Sequence, residues 1–321
     1  MLLVLLLLLL GFVLLGLGAE LMVRGSSTIA IKLGISPLVI GLTVVAFGTS
    51  APELAVGIES TLSNRSGLAL GNVIGSNIAN IGLILGLMAI INPLQIELSL
   101  VKKQIPLVIG SSIFLWFLLL DQQIVFIDGI FLCLGLVGFL LFSYQQARQD
   151  DVACELIIAN PIIGEPSKPI VFHGVILIAG LVLLVYGSSL FVQNAIDLAR
   201  MLGVSEAVIG LSIVAIGTSV PELATSIVAA YKREAGLAVG NVVGSNLFNI
   251  LGILGITSLI GPIDGSEFGK VDFSVMLAYA FLLLPFAWTN LQISRKEGCI
   301  LLAGYIAYMY YLFPGSGSLL L

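Results

Sequence analysis

Charged residues are scarce in this chain of 321 residues: Asp, Glu, Lys and Arg together make up 10% of it. A soluble domain carries about a quarter charged residues, so this sequence has too little charge to cover a water-facing surface. The 13 Lys and Arg residues are dispersed and form no basic face of the kind that binds nucleic acid. These shortages exclude a soluble globular domain and a nucleic-acid-binding protein.

Cysteine and histidine are also rare. The three cysteines, Cys133, Cys154 and Cys299, are odd in number and far apart, so they indicate neither a disulfide framework nor a zinc site. The single histidine, His173, lies at the edge of an apolar run. Because no Ser/His/Asp set and no H-E-x-x-H motif occurs in the apolar runs, we predict neither an enzyme nor a cofactor.

Long apolar runs dominate the sequence instead, with a hydrophobic fraction of 59% and a mean hydropathy of +1.15. A membrane-spanning helix needs about 20 apolar residues, whereas a β-barrel shows alternating segments about half as long. We therefore predict an all-α, polytopic membrane protein with ten transmembrane helices. The first run lacks the basic start and the cleavage site of a signal peptide, so it counts as a span. The predicted spans are roughly 1–22, 37–60, 68–92, 105–120, 124–144, 170–192, 207–230, 237–260, 272–290 and 299–313.

The two halves of the chain are a repeat. Residues 41–87 align without a gap on residues 210–256, and 26 of the 47 positions are identical. Each half holds five spans, an odd number, so the second copy must enter the membrane from the opposite side. The sequence thus predicts two inverted five-helix repeats, an arrangement typical of secondary transporters with a site between the repeats. The predicted units are the first repeat 1–144, a linker 145–169 and the second repeat 170–321.

Basic residues in the loops predict the orientation. Ten of the 13 Lys and Arg residues follow odd-numbered spans, and the other three are Arg65, Arg200 and Lys270. Because cytoplasmic loops carry an excess of Lys and Arg, we expect the larger set and the linker 145–169 on the cytoplasmic side. Both termini should then face outside, in a cell (inner or plasma) membrane that the chain crosses several times.

The string GTSAPEL begins at Gly48 inside the second predicted span and returns as GTSVPEL at Gly217 in the seventh. Pro52 has no N–H group, so the helix should break before it and leave carbonyl oxygens near Ala46 without donors. Irregular backbone at membrane depth is tolerated only where it is buried in protein or lines a polar cavity. A cation would satisfy such carbonyls.

Each copy of this string carries a glutamate, and a carboxyl group in mid-membrane costs about 2.5–3.5 kcal/mol even on the lenient insertion scale. A membrane proline alone is more often a structural kink, but two glutamates at matched repeat positions indicate function. The Thr and Ser at four and three residues before each glutamate place hydroxyls on its helical face. Hydroxyl, carbonyl and carboxylate oxygens suit a hard cation such as Ca²⁺, and no Cys, Met or His accompanies them for a softer metal. The candidates are Thr49, Ser50, Glu53, Thr218, Ser219 and Glu222.

A second pair of blocks, GNVIGSNIAN from Gly71 and GNVVGSNLFN from Gly240, follows in the third and eighth spans. Asn, Ser and Asn recur every four residues in each block and form one polar stripe. Glycines four apart allow close helix approach, so we expect the third span to pack on the second and the stripe to complete the ion shell. The first Asn of each stripe either joins helices or belongs to the site, and both readings stay open. The stripes are Asn72, Ser76 and Asn80, and Asn241, Ser245 and Asn249.

These paired blocks resemble the α-repeats of the Ca²⁺:cation antiporter superfamily, the sodium/calcium exchangers, over nearly the whole chain. The chain is most similar to compact prokaryotic members, because its linker is too short for a cytosolic Ca²⁺-sensing domain. The resemblance implies that Glu53 and Glu222 are shared central ligands. One departure is Asn249, where many relatives have an Asp that is associated with K⁺ in the K⁺-dependent branch. The other ligands that the resemblance implies are the carbonyls of Ala46 and Ala215, the hydroxyls of Thr49, Ser50, Ser76, Thr218, Ser219 and Ser245, and the side chains of Asn80 and Asn249.

The resemblance implies Na⁺/Ca²⁺ antiport by alternating access, with spans 1 and 6 as a sliding gate. The expected partners are Ca²⁺ and Na⁺ as substrates and the lipid bilayer, without nucleic acid or an obligate protein partner. The two carboxyl groups could carry protons instead, so an H⁺/Ca²⁺ antiporter is an open alternative. A cation channel is the alternative from a different class.

Overall fold

The computed structural model describes residues 1–149, 168–203, 215–266 and 270–312. Most of the predicted linker, the beginning of the predicted seventh span and the last residue of the predicted tenth lie outside the described residues. We label the helices α1 Leu2–Leu33, α2 Pro37–Thr49, α3 Ala51–Leu62, α4 Gly67–Ile91, α5 Leu100–Asp121, α6 Phe126–Gln149, α7 Ile170–Met201, α8 Ala215–Gly217, α9 Val220–Tyr231, α10 Ala235–Ile260, α11 Lys270–Trp288 and α12 Arg295–Leu312. The strands are β1 Leu94–Gln95, β2 Gln123–Ile124, β3 Ile263–Asp264 and β4 Gln292–Ile293.

Seven helices among the described residues are long and apolar enough to cross a membrane, or eight segments if the bent pair α2–α3 counts as one span. The fold is therefore a mostly helical, polytopic membrane fold, as predicted. The all-α prediction missed the four short strands. They form two antiparallel pairs, β1 with β4 and β2 with β3, so each pair joins a strand from the first half of the chain to one from the second.

Helices α1 and α7 are longer than the predicted spans 1–22 and 170–192, with 32 residues each. At 1.5 Å per residue they measure about 48 Å, more than the roughly 30 Å of a bilayer core. The predicted bounds stopped at the first polar residues, whereas the helical backbone continues through them. Gly34 ends α1 in the left-handed conformation, with φ of 65°, which favours glycine.

Glycines bring α1 and α7 into close, antiparallel contact. A Cβ atom at Gly18 would lie 2.6 Å from the backbone nitrogen of Leu184, and one at Gly180 would lie 2.6 Å from that of Met22. As the residue number rises along α1 it falls along α7, so the two helices run in opposite directions. In a membrane the hydrophobic effect does not drive helices together. Small residues allow the backbones to approach, so that van der Waals packing holds the helices in contact.

Helices α4 and α10 form the centre of the molecule. In the most apolar 18-residue stretch of each helix, 72% of the residues of α4 and 83% of those of α10 are buried, against 22% in α1 and in α7. Glycines pack α10 on α2: a Cβ at Gly240 would lie 2.6 Å from the carbonyl oxygen of Leu38, and one at Gly244 would lie 2.5 Å from that of Leu42. The glycine-mediated contact that we expected between the third and second spans is not seen at Gly75 of α4, where an added Cβ would meet no atom within 4 Å.

The chain breaks at the two proline-containing strings, as predicted. Ser50 separates α2 from α3, which meet at a bend of 42°, and Ser219 stands at the start of α9 with nearly the same backbone angles. Pro52 and Pro221 occupy the second position of α3 and α9, where a missing N–H costs the helix nothing. The break turns one long span into two short helices and exposes their ends inside the protein.

Candidate cation site

Glu53 and Glu222 lie in the first turns of α3 and α9, directly after the two breaks. Each side chain is only 1% exposed, so both carboxyl groups are buried in an apolar protein. The amino end of a helix carries partial positive charge, which stabilises a carboxylate placed in its first turn. The sequence prediction considered only the carboxyl ends of the broken helices, so this contribution was missed.

Hydroxyl groups of one half point to the other half. The Ser50 hydroxyl donates to Glu222 Oε1 at 3.0 Å, and the Ser219 hydroxyl donates to Ser76 Oγ at 3.3 Å. We predicted that the Ser50 hydroxyl lies beside Glu53, but it contacts Glu222 instead. The break rotates α2 relative to α3 and so moves Ser50 away from the helical face of Glu53. The observed contact joins the two proline-containing strings directly.

The first asparagine of each stripe joins helices. Thr49 Oγ1 donates to Asn241 Oδ1 at 3.1 Å, and Thr218 Oγ1 donates to Asn72 Oδ1 at 3.1 Å. Asn241 also donates to the Ser226 hydroxyl at 2.9 Å. Of the two readings left open, these contacts favour the joining role. They occupy the hydroxyls of both threonines.

The central asparagines form two matching bonds between α4 and α10. Asn80 Nδ2 donates to Asn246 Oδ1 at 3.0 Å, and Asn249 Nδ2 donates to Asn77 Oδ1 at 3.0 Å. All four side chains are at most 3% exposed. Asn77 and Asn246 were missed by the sequence analysis, although each directly follows the Ser of its stripe and precedes the last Asn by three residues, a spacing that places both on one helical face.

Asn80 and Asn249 stand at the start of widened helical turns. The π-helical segments Asn80–Leu85 and Phe248–Leu254 lie within α4 and α10 and begin at or next to these asparagines. Single π-helical turns inside α-helices occur frequently at functional sites. The sequence offered no signal for them.

Several buried oxygen atoms at this place have no hydrogen-bond partner among the described residues. Buried polar groups are otherwise paired, so each unpaired oxygen needs an explanation. Nearly all of these atoms are acceptors only, which is what a cation requires. They are Glu53 Oε1 and Oε2, Glu222 Oε2, Ser245 Oγ, Asn80 Oδ1 and Asn249 Oδ1.

The carbonyl of Ala46 differs from the expectation. Ala46 O accepts a hydrogen bond from Ser50 N at 3.0 Å, so it has a donor, contrary to the prediction. The helix keeps this bond because Ser50, unlike Pro52, has an N–H group. Ala215 is the first residue of α8, and its side chain lies outside the described part.

The site as a whole brings together hydroxyl, amide and carboxylate oxygens from both halves of the chain. Two carboxylates give it a charge of −2 when both are ionised. Among the described residues there is no group of three or more His, Cys, Asp or Glu side chains that could hold a metal. The oxygens that are present, two carboxylates with neutral hydroxyl and amide groups, suit hard cations such as Ca²⁺ and Na⁺ rather than Zn²⁺.

Known proteins are similar to this chain in sequence and in fold. The family model described as sodium/calcium exchanger protein matches residues 3–145 and 172–313. The putative antiporter CaxA of Alkalimonas amylolytica is 39% identical over 309 residues, which cover 95% of this chain and 97% of that protein. The sodium/calcium exchanger MaX1 of Methanosarcina acetivorans is 33% identical over 346 residues, covering 96% and 98%.

Solved structures of the sodium-calcium exchanger NCX_Mj have the same fold. One crystal soaked with 10 mM Na⁺ and zero Ca²⁺ matches with a TM-score of 0.83, and one soaked with 100 mM Na⁺ and 10 mM Sr²⁺ with 0.84. Both are 35% identical to this chain and cover 97% of it and 99% of their own chain. The family is one of exchangers and not an enzyme class. The chain therefore belongs to the sodium/calcium exchanger family, as a prokaryotic Ca²⁺:cation antiporter that crosses the membrane several times.

Proposed function

We propose that this protein exchanges Na⁺ for Ca²⁺ by alternating access at the site between its two halves. The observation that carries the proposal is the contact of Ser50 with Glu222, surrounded by buried oxygen atoms that lack donors. A buried set of acceptors drawn from both halves gives a cation ligands on each side. Movement of other helices past this set would then open the site without separating its ligands.

The ion ligands in this proposal are the set implied by the family resemblance, with Glu53 and Glu222 shared by both ions. One Ca²⁺ or two Na⁺ balance their charge of −2, and a third Na⁺ exceeds it. Because both ions need the same carboxylates, binding of one excludes the other. Competition for shared ligands, with a barrier to moving the empty dianion through the membrane, is enough to couple the two fluxes. No cofactor is part of the proposal. The full set is Ala46, Thr49, Ser50, Glu53, Ser76, Asn80, Ala215, Thr218, Ser219, Glu222, Ser245 and Asn249.

The proposal includes ten spans in two inverted repeats, 1–144 and 170–321, joined by the linker 145–169. Helix bounds support it: α3 begins at Ala51 and α9 at Val220, 169 residues later, and the strands β1 and β3 begin at Leu94 and Ile263, also 169 apart. The antiparallel course of α1 and α7, which occupy matching positions, supports it as well, since inverted copies of one helix run in opposite directions.

Helices α1 and α7 are the proposed moving elements. They pack on each other through glycines and expose large apolar surfaces. Only 22% of the residues in the most apolar stretch of each helix are buried. Few contacts fix such a pair to the central helices α4 and α10. Sliding of the pair would expose the site first to one side of the membrane and then to the other.

Uptake of radiolabelled Ca²⁺ into proteoliposomes tests the proposal. Vesicles loaded with Na⁺ are diluted into Na⁺-free buffer at equal pH on both sides. We expect uptake that requires internal Na⁺ and is lost in Glu53→Gln and in Glu222→Gln. Glu59→Gln, an exposed glutamate on the same helix as Glu53, is the matched control and should retain uptake.

Two other outcomes separate the alternatives. Uptake that ignores Na⁺ but follows an acid-inside pH gradient would identify an H⁺/Ca²⁺ antiporter that uses the same carboxyl groups. Uptake that ignores both gradients would identify a passive cation channel and contradict the coupling mechanism.

A further inference from the structure

A lateral groove of about 660 Å³ lies between α5 and α6, with Leu247 and Leu251 of α10 as its floor. Most of its lining is apolar, and its two charged residues, Lys102 and Lys103, stand together at one end. Pockets of this volume hold small organic ligands. A cleft of this kind between membrane helices, charged at one end and apolar along its length, has the polarity of a phospholipid.

The two walls are tied together beside the basic end. Gln104 Nε2 of α5 donates to Gln146 Oε1 of α6 at 2.8 Å, and both side chains are buried. The ammonium group of Lys103 lies 5.8 Å from the centre of the Phe142 ring on α6. The groove is therefore a fixed feature of the fold and not a gap left by loosely placed helices.

The second half fills the matching space. Residues 169 positions after Gly110, Lys103 and Phe139 are Tyr279, Asp272 and Tyr308. Tyr279 is 5% exposed and lies against α12, where a Cβ at Gly304 would be 2.7 Å from its hydroxyl oxygen. The Tyr308 hydroxyl donates to Asp272 Oδ1 at 2.8 Å and joins α11 to α12.

Glycine keeps the groove open in the first half. A Cβ atom placed on Gly110 or on Gly138 would meet no atom within 4 Å. These glycines therefore do not serve close packing of helix backbones. Gly18 and Gly244, by contrast, lie where two backbones approach closely. Gly110 leaves space where the other half has the ring of Tyr279, and Lys103 stands where the other half has Asp272.

We propose that this groove binds one anionic phospholipid, with an acyl chain along the groove and the phosphate at Lys102 and Lys103. Both lysines are exposed and lie in the first turn of α5, where the helix dipole disfavours cations and favours an anion. Basic pockets between membrane helices attract anionic headgroups. A zwitterionic lipid brings a cation of its own, which the two lysines repel, so the site selects net negative charge.

The lipid would contact residues of α10 that adjoin the transport site. Leu247 and Leu251 flank Asn249 on α10, and the ring of Phe139 on α6 meets Phe248 edge-on at 6.4 Å. An acyl chain in the groove would therefore pack against the π-helical turn that carries Asn249. The binding claim does not depend on which ions are exchanged.

Native mass spectrometry of the full-length protein in detergent tests the proposal, with phosphatidylglycerol and phosphatidylcholine as probes. We expect tighter binding of phosphatidylglycerol, and an affinity about 5-fold lower for each lysine removed, or about 30-fold lower in Lys102→Gln/Lys103→Gln. The matched control is Arg295→Gln/Lys296→Gln, two exposed basic residues in the first turn of α12, which should leave the affinity unchanged.

A second variant tests the groove separately from its charge. Gly110→Phe places a ring in the open space and should abolish retention of phosphatidylglycerol, whereas Ile113→Phe, at an exposed position of the same helix outside the lining, should not. Melting temperatures establish that each variant is folded. Equal retention by the lysine variant and the native protein, retention by a folded Gly110→Phe, or displacement of the lipid by inorganic phosphate alone would each overturn the proposal.

Discussion

Four buried asparagines hold α4 and α10 together through two matching amide bonds, and one substitution removes half of this set. Asn246→Ala deletes the acceptor of Asn80 Nδ2, which then lies buried without a partner. Bonds between membrane helices contribute about 0.6 kcal/mol on average and up to about 1.7 kcal/mol. We expect the free energy of unfolding to fall by about that amount. Equilibrium unfolding in mixed detergent micelles measures it.

The same variant should also weaken Ca²⁺ binding, because the Asn80 side chain loses the bond that orients its oxygen toward the site. Asn92→Ala, at an exposed asparagine just after the end of α4, is the control and should change neither quantity. Unchanged stability together with unchanged Ca²⁺ affinity in Asn246→Ala would show that the amide bond orients nothing.

Sequence alone located most of the candidate residues but not their partners. Glu53 and Glu222 could be predicted because a carboxyl group in an apolar span is costly and its repetition is visible in the chain. The bond from Ser50 to Glu222 could not, since it joins residues 172 positions apart and depends on how α2 turns at the break. Asn77 and Asn246 were missed because the stripe was read at intervals of four, which skips the neighbour at three.

At the level of helices, the contact between α2 and α10 depends on glycine. A Cβ atom at Gly244 would lie 2.5 Å from the carbonyl oxygen of Leu42, a distance that requires the backbones to separate. Overpacking of this kind costs about 1–3 kcal/mol. We expect Gly244→Ala to lower the melting temperature and to impair exchange, because the separation displaces Thr49 from Asn241.

The control for this variant is Gly16→Ala, where an added Cβ atom would meet no atom within 4 Å. Alanine is a better helix former than glycine, so this change should leave stability equal or slightly higher. A native melting temperature in Gly244→Ala would mean that the helices accommodate the methyl group, and the close approach would have no structural role.

An ion pair ties the proposed moving helix α1 to the end of α9. Lys232, which directly follows α9, pairs with Glu20 of α1, and Glu20 also pairs with Arg24 one turn further along. The matching positions in the other half are Ser63 and Ser189, which carry no charge. The link therefore has no counterpart at these matching positions, and it should favour the state in which α1 lies against α9.

Breaking this pair should shift the balance between the two states of the exchanger. Partly exposed ion pairs contribute about 0.2–1 kcal/mol, so we expect Lys232→Met to raise the population of the other state by at most about 5-fold. Hydrogen exchange in α9 reports the shift as faster exchange. Glu20→Lys combined with Lys232→Glu should restore the native rate, and Arg24→Gln, which breaks a pair within α1, should leave it unchanged. If the double variant with the two charges swapped does not restore the native hydrogen-exchange rate, the effect of Lys232→Met is due to packing and not to the ion pair.

For the whole molecule, a constant spacing of 169 residues relates helices and strands of the two halves over most of the chain. The repeat was visible in the sequence, because identical residues at 26 of 47 positions fix the register. The full length of α1 and α7 was not, since the polar residues through which these helices continue give no hydropathy signal. The short strands were not visible either, because each pairs with a strand of the other half and has only two residues.

The inverted arrangement predicts opposite accessibility for two matching turns. Asn64 follows α3 and Arg233 follows α9, 169 residues later; both are exposed and have similar positive φ angles, 55° and 65°. In a background with Cys133, Cys154 and Cys299 changed to serine, we compare Asn64→Cys with Arg233→Cys. Because five spans separate the two turns, a membrane-impermeant maleimide added to intact cells should label Asn64→Cys and spare Arg233→Cys. Opened membranes should allow labelling of both. Labelling of both variants from outside would rule out the inverted repeat. Labelling of Arg233→Cys alone would agree with the inverted repeat but would place both termini inside.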